Sequence, residues 1–245
     1  MKALRSLALV AGPALAAHWS PAVAAVLPST VSLFGIPTTV PEDEVLLTFD
    51  DGPHPEGTPA VLAALDRVGA SAVFFVSGEQ AVRYPELVRE VAAAGHELGL
   101  HGYRHQTRRQ WSRGLLADDI RRAQDAVPAA ARLYRPPHGV FSLTGLRLTR
   151  ELGLRPLLWS KWGRDWERRA TPESITARVT NWIRAGDVVL LHDADHYSAP
   201  GCWKRTAAAI APIAERIADE GLRLRAAPAA ADIRGNGPRL NPAGR

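Results

Sequence analysis

Short apolar runs alternate along this chain with amphipathic stretches that end in glycine, and that rhythm leaves few folds open to it. Val45–Phe49 reads as a strand. Thr58 and Pro59 then supply an N-cap and a proline at the first helical position, and a helix follows over Ala60–Val68, closed by Gly69. Ser71–Val76 is the next strand. Pro85–Ala94 is a helix with Gly95 beyond it, leading to a strand over His96–Leu100. The same reading predicts a helix over Leu115–Val127, with Asp118, Asp119, Arg121 and Arg122 on its solvated side. Strands follow at Leu133–Arg135, Pro156–Trp159 and Asp187–Leu191, with a final one at Leu222–Arg225. Helices are predicted over Leu143–Leu152, from Thr171 to Ala185, and over Arg205–Glu220. About seven strand–helix units without a shift of composition predict one α/β domain with a parallel sheet, closing into an irregular (β/α) barrel of seven or eight strands. There is no internal repeat and no glycine-rich phosphate loop, which removes most support for nucleotide binding.

The length, 245 residues, suits one domain of about 200 residues plus two ends. Lys2 and Arg5 precede an apolar run from Leu7 to about Ala17, and no charged residue occurs from Ser6 to Pro41. Ala14-Leu15-Ala16 reads as a signal-peptide cleavage sequence, with Ala22-Val23-Ala24 as a second candidate. The rivals are a membrane anchor over Leu7–Val26, against which Pro13, Pro21 and His18-Trp19-Ser20 speak, and an apolar leader that packs on the domain. Residues 1–41 are therefore expected to be signal or anchor plus leader, residues 42–226 the catalytic domain, and residues 227–245 a disordered Ala/Pro/Gly/Arg tail. Export, with the protein secreted or anchored outside the cytoplasm as a monomer, is the expectation. The lone Cys202 excludes an internal disulfide and any cysteine-built zinc finger or iron–sulfur centre. The formal charge is +5, but its arginines are spread out rather than massed, which argues against a nucleic-acid partner.

In such folds the catalytic groups gather at the C-terminal ends of strands. Four predicted strands deliver polar residues there: Asp50-Asp51-Gly52-Pro53, His101 to His105, Arg135-Pro136-Pro137-His138-Gly139, and His192-Asp193. Each alone has an ordinary explanation as a turn or a hydrogen-bonded side chain. Their joint occurrence points to chemistry. One carboxylate with two imidazoles makes a three-ligand site that suits Zn²⁺ or a similar divalent ion and leaves a position open. The second carboxylate is then free to act as a base. Neighbours in an extended segment point to opposite sides, so Asp50 and Asp51 are expected to divide the two roles.

These residues resemble the polysaccharide deacetylases, the NodB-homology group of carbohydrate esterases (family 4). The resemblance rests on Thr48-Phe49-Asp50-Asp51-Gly52-Pro53, His101-x-x-x-His105, Arg135-Pro136-Pro137-x-Gly139, Trp159 followed by Asp165-Trp166, and Leu190-Leu191-His192, in that order across Val45–Ala226. It implies a deformed (β/α) barrel of the NodB-homology type that removes acetyl groups from a sugar polymer. By position it implies Asp51, His101 and His105 as metal ligands, Asp50 as base and His192 as general acid. It further implies that Arg135 holds Asp50, that Asp165 orients His192, that Leu190 shapes the acetyl-methyl pocket, and that the backbone N–H after Pro137 stabilises the oxyanion. One divalent ion is implied, Zn²⁺ first, with Co²⁺ and Ni²⁺ sharing the ligand set. The expected partner is an acetylated glycan such as chitin fragments, peptidoglycan, xylan or a capsular polymer.

Three positions depart from the family pattern. Gly102 stands where a Ser or Thr hydroxyl usually steadies the loop carrying the second ligand. His138 stands where Tyr is usual, and Trp162 where an earlier Asp is often found. Trp162, Trp166 and Trp203 offer rings for stacking on sugars, or are simply packed. Two further readings are an amidohydrolase acting on a small amide or lipid-linked sugar, and an inactive carbohydrate-binding relative.

Overall fold

The computed structural model describes residues 18–25, 31–40, 43–127 and 131–226. The first expected cleavage site and the tail beyond residue 226 lie outside these, while the second, Ala22–Ala24, falls in a 3-10 turn at Ser20–Ala25. Seven strands, β1 (Leu46–Asp50), β2 (Ala72–Val76), β3 (Glu97–Leu100), β4 (Leu133–Tyr134), β5 (Arg155–Pro156), β6 (Lys161–Trp162) and β7 (Val188–His192), form one sheet. Its order is β5-β4-β3-β2-β1-β7-β6, every pair being parallel. The sheet curls into a half-barrel with helices between its strands. The helices are α1 (Val31–Phe34), α2 (Gly57–Arg67), α3 (Gly78–Arg83), α4 (Pro85–Ala93), α5 (Arg113–Ala126), α6 (Leu143–Glu151), α7 (Pro172–Thr180) and α8 (Cys202–Asp219).

The central strands are largely apolar, β2 without a break, because both faces are covered. All residues of β1 and β2 are buried, and α2 and α8 pack together, with α8 also against β7. Residues before position 42 join this unit: Ile36 is buried in the core, Pro37 accepts the Leu158 N–H at 2.9 Å, and Thr39 bridges to Asp187.

Several local expectations give way to tertiary contacts. Thr58 does not cap α2, whose N-cap is Glu56; its hydroxyl donates to Asp193 (2.5 Å) and accepts the His54 N–H (2.8 Å). Of the strand expected at Pro156–Trp159 only Pro156 belongs to β5, which begins at Arg155, and the Leu157 and Leu158 carbonyls accept from Arg135 instead of a neighbouring strand. Helix α7 begins after Thr171 as expected, with a capping box between Thr171 and Ser174, but stops at Thr180 and not at Ala185. There the Lys161 ammonium donates to the Asn181 and Trp182 carbonyls and ends the turn. Leu222–Arg225 adds no strand, only a bridge from Leu224 to Val45. Asp119 lies on the buried side of α5, not in solvent, whereas Asp118 is exposed.

Candidate active site and metal centre

The C-terminal edge of the sheet carries a cavity of about 310 Å³, lined by Asp50, Asp51, His101, His105, His138, Trp159, Trp162, Trp166, Leu190 and His192, with Tyr197 and Ser198. This volume is within the range of small-molecule sites.

Strand register does most of the assembly. Asp50 ends β1 and His192 ends β7, and the two are direct partners in the parallel ladder. Thr48 faces Leu190 in the same ladder, and Leu190 faces Trp162 of β6. His101 follows β3 immediately, its backbone N–H held by the Val76 carbonyl at 2.9 Å. Arg135 follows β4, its N–H on the Leu100 carbonyl at 3.0 Å.

Asp51 is not in extended backbone. Its φ is +79°, a left-handed conformation that few residues other than glycine adopt. The expected strand alternation therefore does not divide the two carboxylates, because both line the same cavity. The turn separates them instead. Gly52 packs so closely on Asp193 that a Cβ there would collide with the carboxylate. Asp193 in turn is buried, held by Thr58, and its acidity is weakened by that burial and by Asp51, to a pKa of about 7.

Around Asp51 the metal-type donors converge. The Nε2 atoms of His101 and His105 each lie 3.4 Å from its Oδ1, and the three donor atoms lie within 4.8 Å of one another. Asp51 Oδ1 is buried without a hydrogen-bond partner, an arrangement that costs free energy unless something else satisfies it. Burial alone would raise the Asp51 pKa, but His101, with His192 and His105, holds it well below the usual carboxylate range. Burial, together with His101, pushes the His105 imidazole down to about 3, so it is neutral and its lone pair is free to bind a cation. An ionised carboxylate and a neutral imidazole are what a divalent cation requires, and the donor set fits one.

Asp50 stands beside this cluster. The fully buried Arg135 donates through Nη1 to Asp50 Oδ1 (2.7 Å) and to Thr48 Oγ1 (2.8 Å). Its Nε and Nη2 go to the Leu157 and Leu158 carbonyls at 3.1 and 3.0 Å, and its guanidinium lies 4.0 Å over the Phe75 ring. On the other side Asp165, fully buried, accepts the His192 N–H (2.7 Å), His192 Nδ1 (2.9 Å) and the Thr206 hydroxyl (2.6 Å). Burial would lower the His192 pKa, but Asp165, with Asp51 and Asp50, overrides it and raises the pKa to about 10. His192 Nε2 faces the cavity, 3.9 Å from Asp51 Oδ2.

Trp159, Trp162 and Trp166 form one wall, their successive ring centroids 6.1 and 5.7 Å apart, with Trp166 edge-on to His192 at 5.4 Å. Gly139, at φ +68°, admits the Trp159 ring where a Cβ would collide with it. His138, at φ +59°, points its ring to His105 at 4.4 Å, so the residue that replaces the usual Tyr does line the cavity. Pro137 is buried behind it. Trp203 lies against His54 and Gly57, and is not among the cavity-lining residues.

The sequence singles out neither Thr206, Tyr197 nor Ser198, and gives Thr48 only as the start of the Thr48–Pro53 motif. The Tyr197 ring stacks on His105 at 4.2 Å, and its hydroxyl donates to Glu79 at 2.5 Å. No local pattern marks Thr206, Tyr197 or Ser198. A second cluster, His54, Asp195 and His196, also brings metal-type donors together. There His54 Nδ1 accepts the Gly57 N–H at 2.9 Å, which leaves its Nε2 as the donor to Asp195 at 3.3 Å, so its lone pair is already used.

Comparison with known proteins agrees with this arrangement. Residues 38–157 match the family described as polysaccharide deacetylase. A peptidoglycan-N-acetylglucosamine deacetylase of Bacillus cereus is 35% identical over 192 residues, covering 76% of this chain and 87% of that protein. A chitooligosaccharide deacetylase of Sinorhizobium fredii is 35% identical over 194 residues, 75% of this chain and 90% of the other. The solved structure of a family 4 carbohydrate esterase from Streptomyces lividans in complex with acetate superposes with a TM-score of 0.66 at 32% identity. That superposition covers 74% of this chain and 91% of the other. With matches of that extent, and with the expected motifs gathered around one cavity, this chain belongs to the polysaccharide deacetylase family.

Proposed function

We propose that this protein hydrolyses the acetamido group of N-acetylated sugars in a chitin-like or peptidoglycan-like polymer outside the cytoplasm. The observation that carries this reading is the pairing of Asp50 with His192 across β1 and β7, on either side of the Asp51, His101 and His105 cluster. The relatives' substrates and the charge-free leader support it.

Asp51, His101 and His105 would hold one divalent ion. Zn²⁺ suits one carboxylate and two imidazoles, and Co²⁺ and Ni²⁺ share those ligands. When bound, the ion supplies Lewis acidity, polarising the acetyl carbonyl and making water more acidic. Asp50 takes the proton of the attacking water, with Arg135 holding Oδ1 in place. The backbone N–H directly after Pro137, that of His138, is the donor for the carbonyl oxygen, since the Gly139 and Val140 N–H groups already go to the Pro136 and Pro137 carbonyls at 2.8 and 3.3 Å. His192 arrives charged, held so by Asp165, and gives the Nε2 proton to the departing amine. An amine leaves poorly unless it is protonated, so this acid is indispensable. Leu190 bounds the space for the acetyl methyl, and Trp162 and His138 form the rim that meets the sugar.

The test is acetate release from chitin oligosaccharides, peptidoglycan and acetylxylan by metal-stripped protein, before and after addition of Zn²⁺ or Co²⁺. Release from an N-acetylated glycan only after metal is restored is the expected result. Tight metal binding without release from any glycan would sink the proposal and leave the small-amide reading.

The Asp165–His192 pair makes a prediction about pH. His192 must be protonated to act, and the neighbouring carboxylate raises its pKa, so activity should be lost only as pH climbs past that raised value. Asp165→Asn removes the charge but keeps the size. The alkaline limb of kcat/KM should then move to lower pH by more than about one unit. An unmoved limb would mean that another group sets it.

A further inference from the structure

The two histidines of the cluster are held by different means. His101 is set by the sheet, since its N–H extends the β2–β3 ladder onto Val76. His105 stands four residues further on, beyond the last ladder bond, at the end of the Gly102-Tyr103-Arg104 segment. That segment is gripped from both sides. The carbonyls of Gly102 and Tyr103 accept the N–H groups of Gly78 and Glu79, at the start of α3, at 2.9 Å each. The N–H groups of Tyr103 and Arg104 donate to the two oxygens of Asp119, at 2.9 and 3.3 Å.

Asp119 is only 4% exposed, so it serves as a buried internal partner and not a surface charge. Arg109 Nε lies 3.8 Å from it, and the Arg122 guanidinium sits 3.9 Å over the Tyr103 ring, so helix α5 and the turn before it close on the segment. Gly102 completes the arrangement. Its φ is +80°, which disfavours any side chain, and a Cβ there would stand 3.0 Å from Asp119 Oδ2, so the carboxylate that accepts the Tyr103 N–H would have to give by a few tenths of an ångström.

We propose that Asp119 is the positioning residue for His105, and that residue 102 is glycine because this carboxylate occupies the place beside it. The chain thus secures its second histidine from α5, through the backbone of the segment before it. The proposal rests on the reading that His105 is a metal ligand. It acts through backbone geometry: the two N–H bonds fix the peptide planes that aim the His105 imidazole at Asp51.

The test uses the full chain with Asp119→Ala, Asp119→Asn and the exposed control Asp118→Ala. Zn²⁺ affinity is measured by chelator competition, the visible spectrum of the Co²⁺ form is recorded, and thermal unfolding is followed without metal. Asp119→Ala should weaken Zn²⁺ binding about 10-fold or more and alter the Co²⁺ bands, since supporting contacts of metal ligands are typically worth about 10–100-fold. Asp118→Ala should change neither. Asp119→Asn keeps one acceptor oxygen and the side-chain volume, so it tests the idea even if Asp119→Ala does not fold; a smaller loss of the same kind is expected. Folded Asp119→Asn with wild-type affinity and an unchanged Co²⁺ spectrum would overturn the proposal while leaving the metal centre intact. Absence of Zn²⁺ and Co²⁺ binding in the unaltered protein would overturn both.

Discussion

Asp50→Asn should lower kcat/KM for acetate release by about 10²–10⁴-fold while leaving Zn²⁺ affinity close to that of the unaltered protein. The substitution keeps the shape of the side chain and an oxygen for Arg135 Nη1, which now donates to Oδ1 at 2.7 Å. It removes the basic oxygen and puts an amide in its place, so no group at the β1 end can take a proton. Asp51, His101 and His105 are untouched, and their donor atoms converge without help from Asp50. Steady-state rates beside a chelator titration separate the two effects. A variant within tenfold of full activity would remove Asp50 from its role as base, and a parallel fall in metal affinity would move it into the ligand set.

The second large effect is expected at Arg135, and on stability. This side chain is fully buried, and its donors go to four acceptors: Asp50, Thr48 and the carbonyls of Leu157 and Leu158. Arg135→Met fills much of the volume but strands the Asp50 charge and two carbonyls away from water. Breaking a buried ion pair from one side costs about 3–5 kcal/mol, so the denaturant midpoint should fall sharply. Adding Asp50→Asn to Arg135→Met should recover part of that loss, because the stranded charge is its largest component. Arg135→Lys should also be costly. A lysine ammonium is a compact charge with three donors and cannot span acceptors placed around a planar guanidinium. If Arg135→Met unfolds at the midpoint of the unaltered protein, the ion pair is not what holds this end of the sheet.

Much of this architecture could be read from residue types alone, because the signals are local and strong. The largely apolar run Val45–Phe49 at β1, Asp187–Leu191 around β7, a glycine after each of several helices and the Thr171-Pro172 start of α7 each have one simple structural reading. Asp119 was readable and was misplaced. It stands three residues after Leu116 and four before Ala123, on the buried stripe of α5, yet its charge and its charged neighbours drew it to the wet side. Thr58 was likewise read as a helix cap, the commonest use of a threonine before proline, while its hydroxyl was taken by Asp193, 135 residues away. The end of α7 depended on Lys161, whose ammonium reaches it from another strand.

The site divides the same way. The sequence by itself determined which residue types could do the chemistry and that each would stand at a strand's end, since polar residues directly after apolar runs have nowhere else to go. It also determined the family, because five motifs in order are far more specific than any one of them. Only the tertiary structure decided how the groups meet. The in-register pairing of Asp50 with His192 comes from β1 lying beside β7, which are far apart in the chain. The different placing of the Asp50 and Asp51 carboxylates, on which their proposed roles rest, comes from a left-handed residue at the turn, not from strand alternation. The charges of Asp51 and His192 are set by burial and by neighbours from other strands and loops, and such long-range terms leave no trace in local sequence.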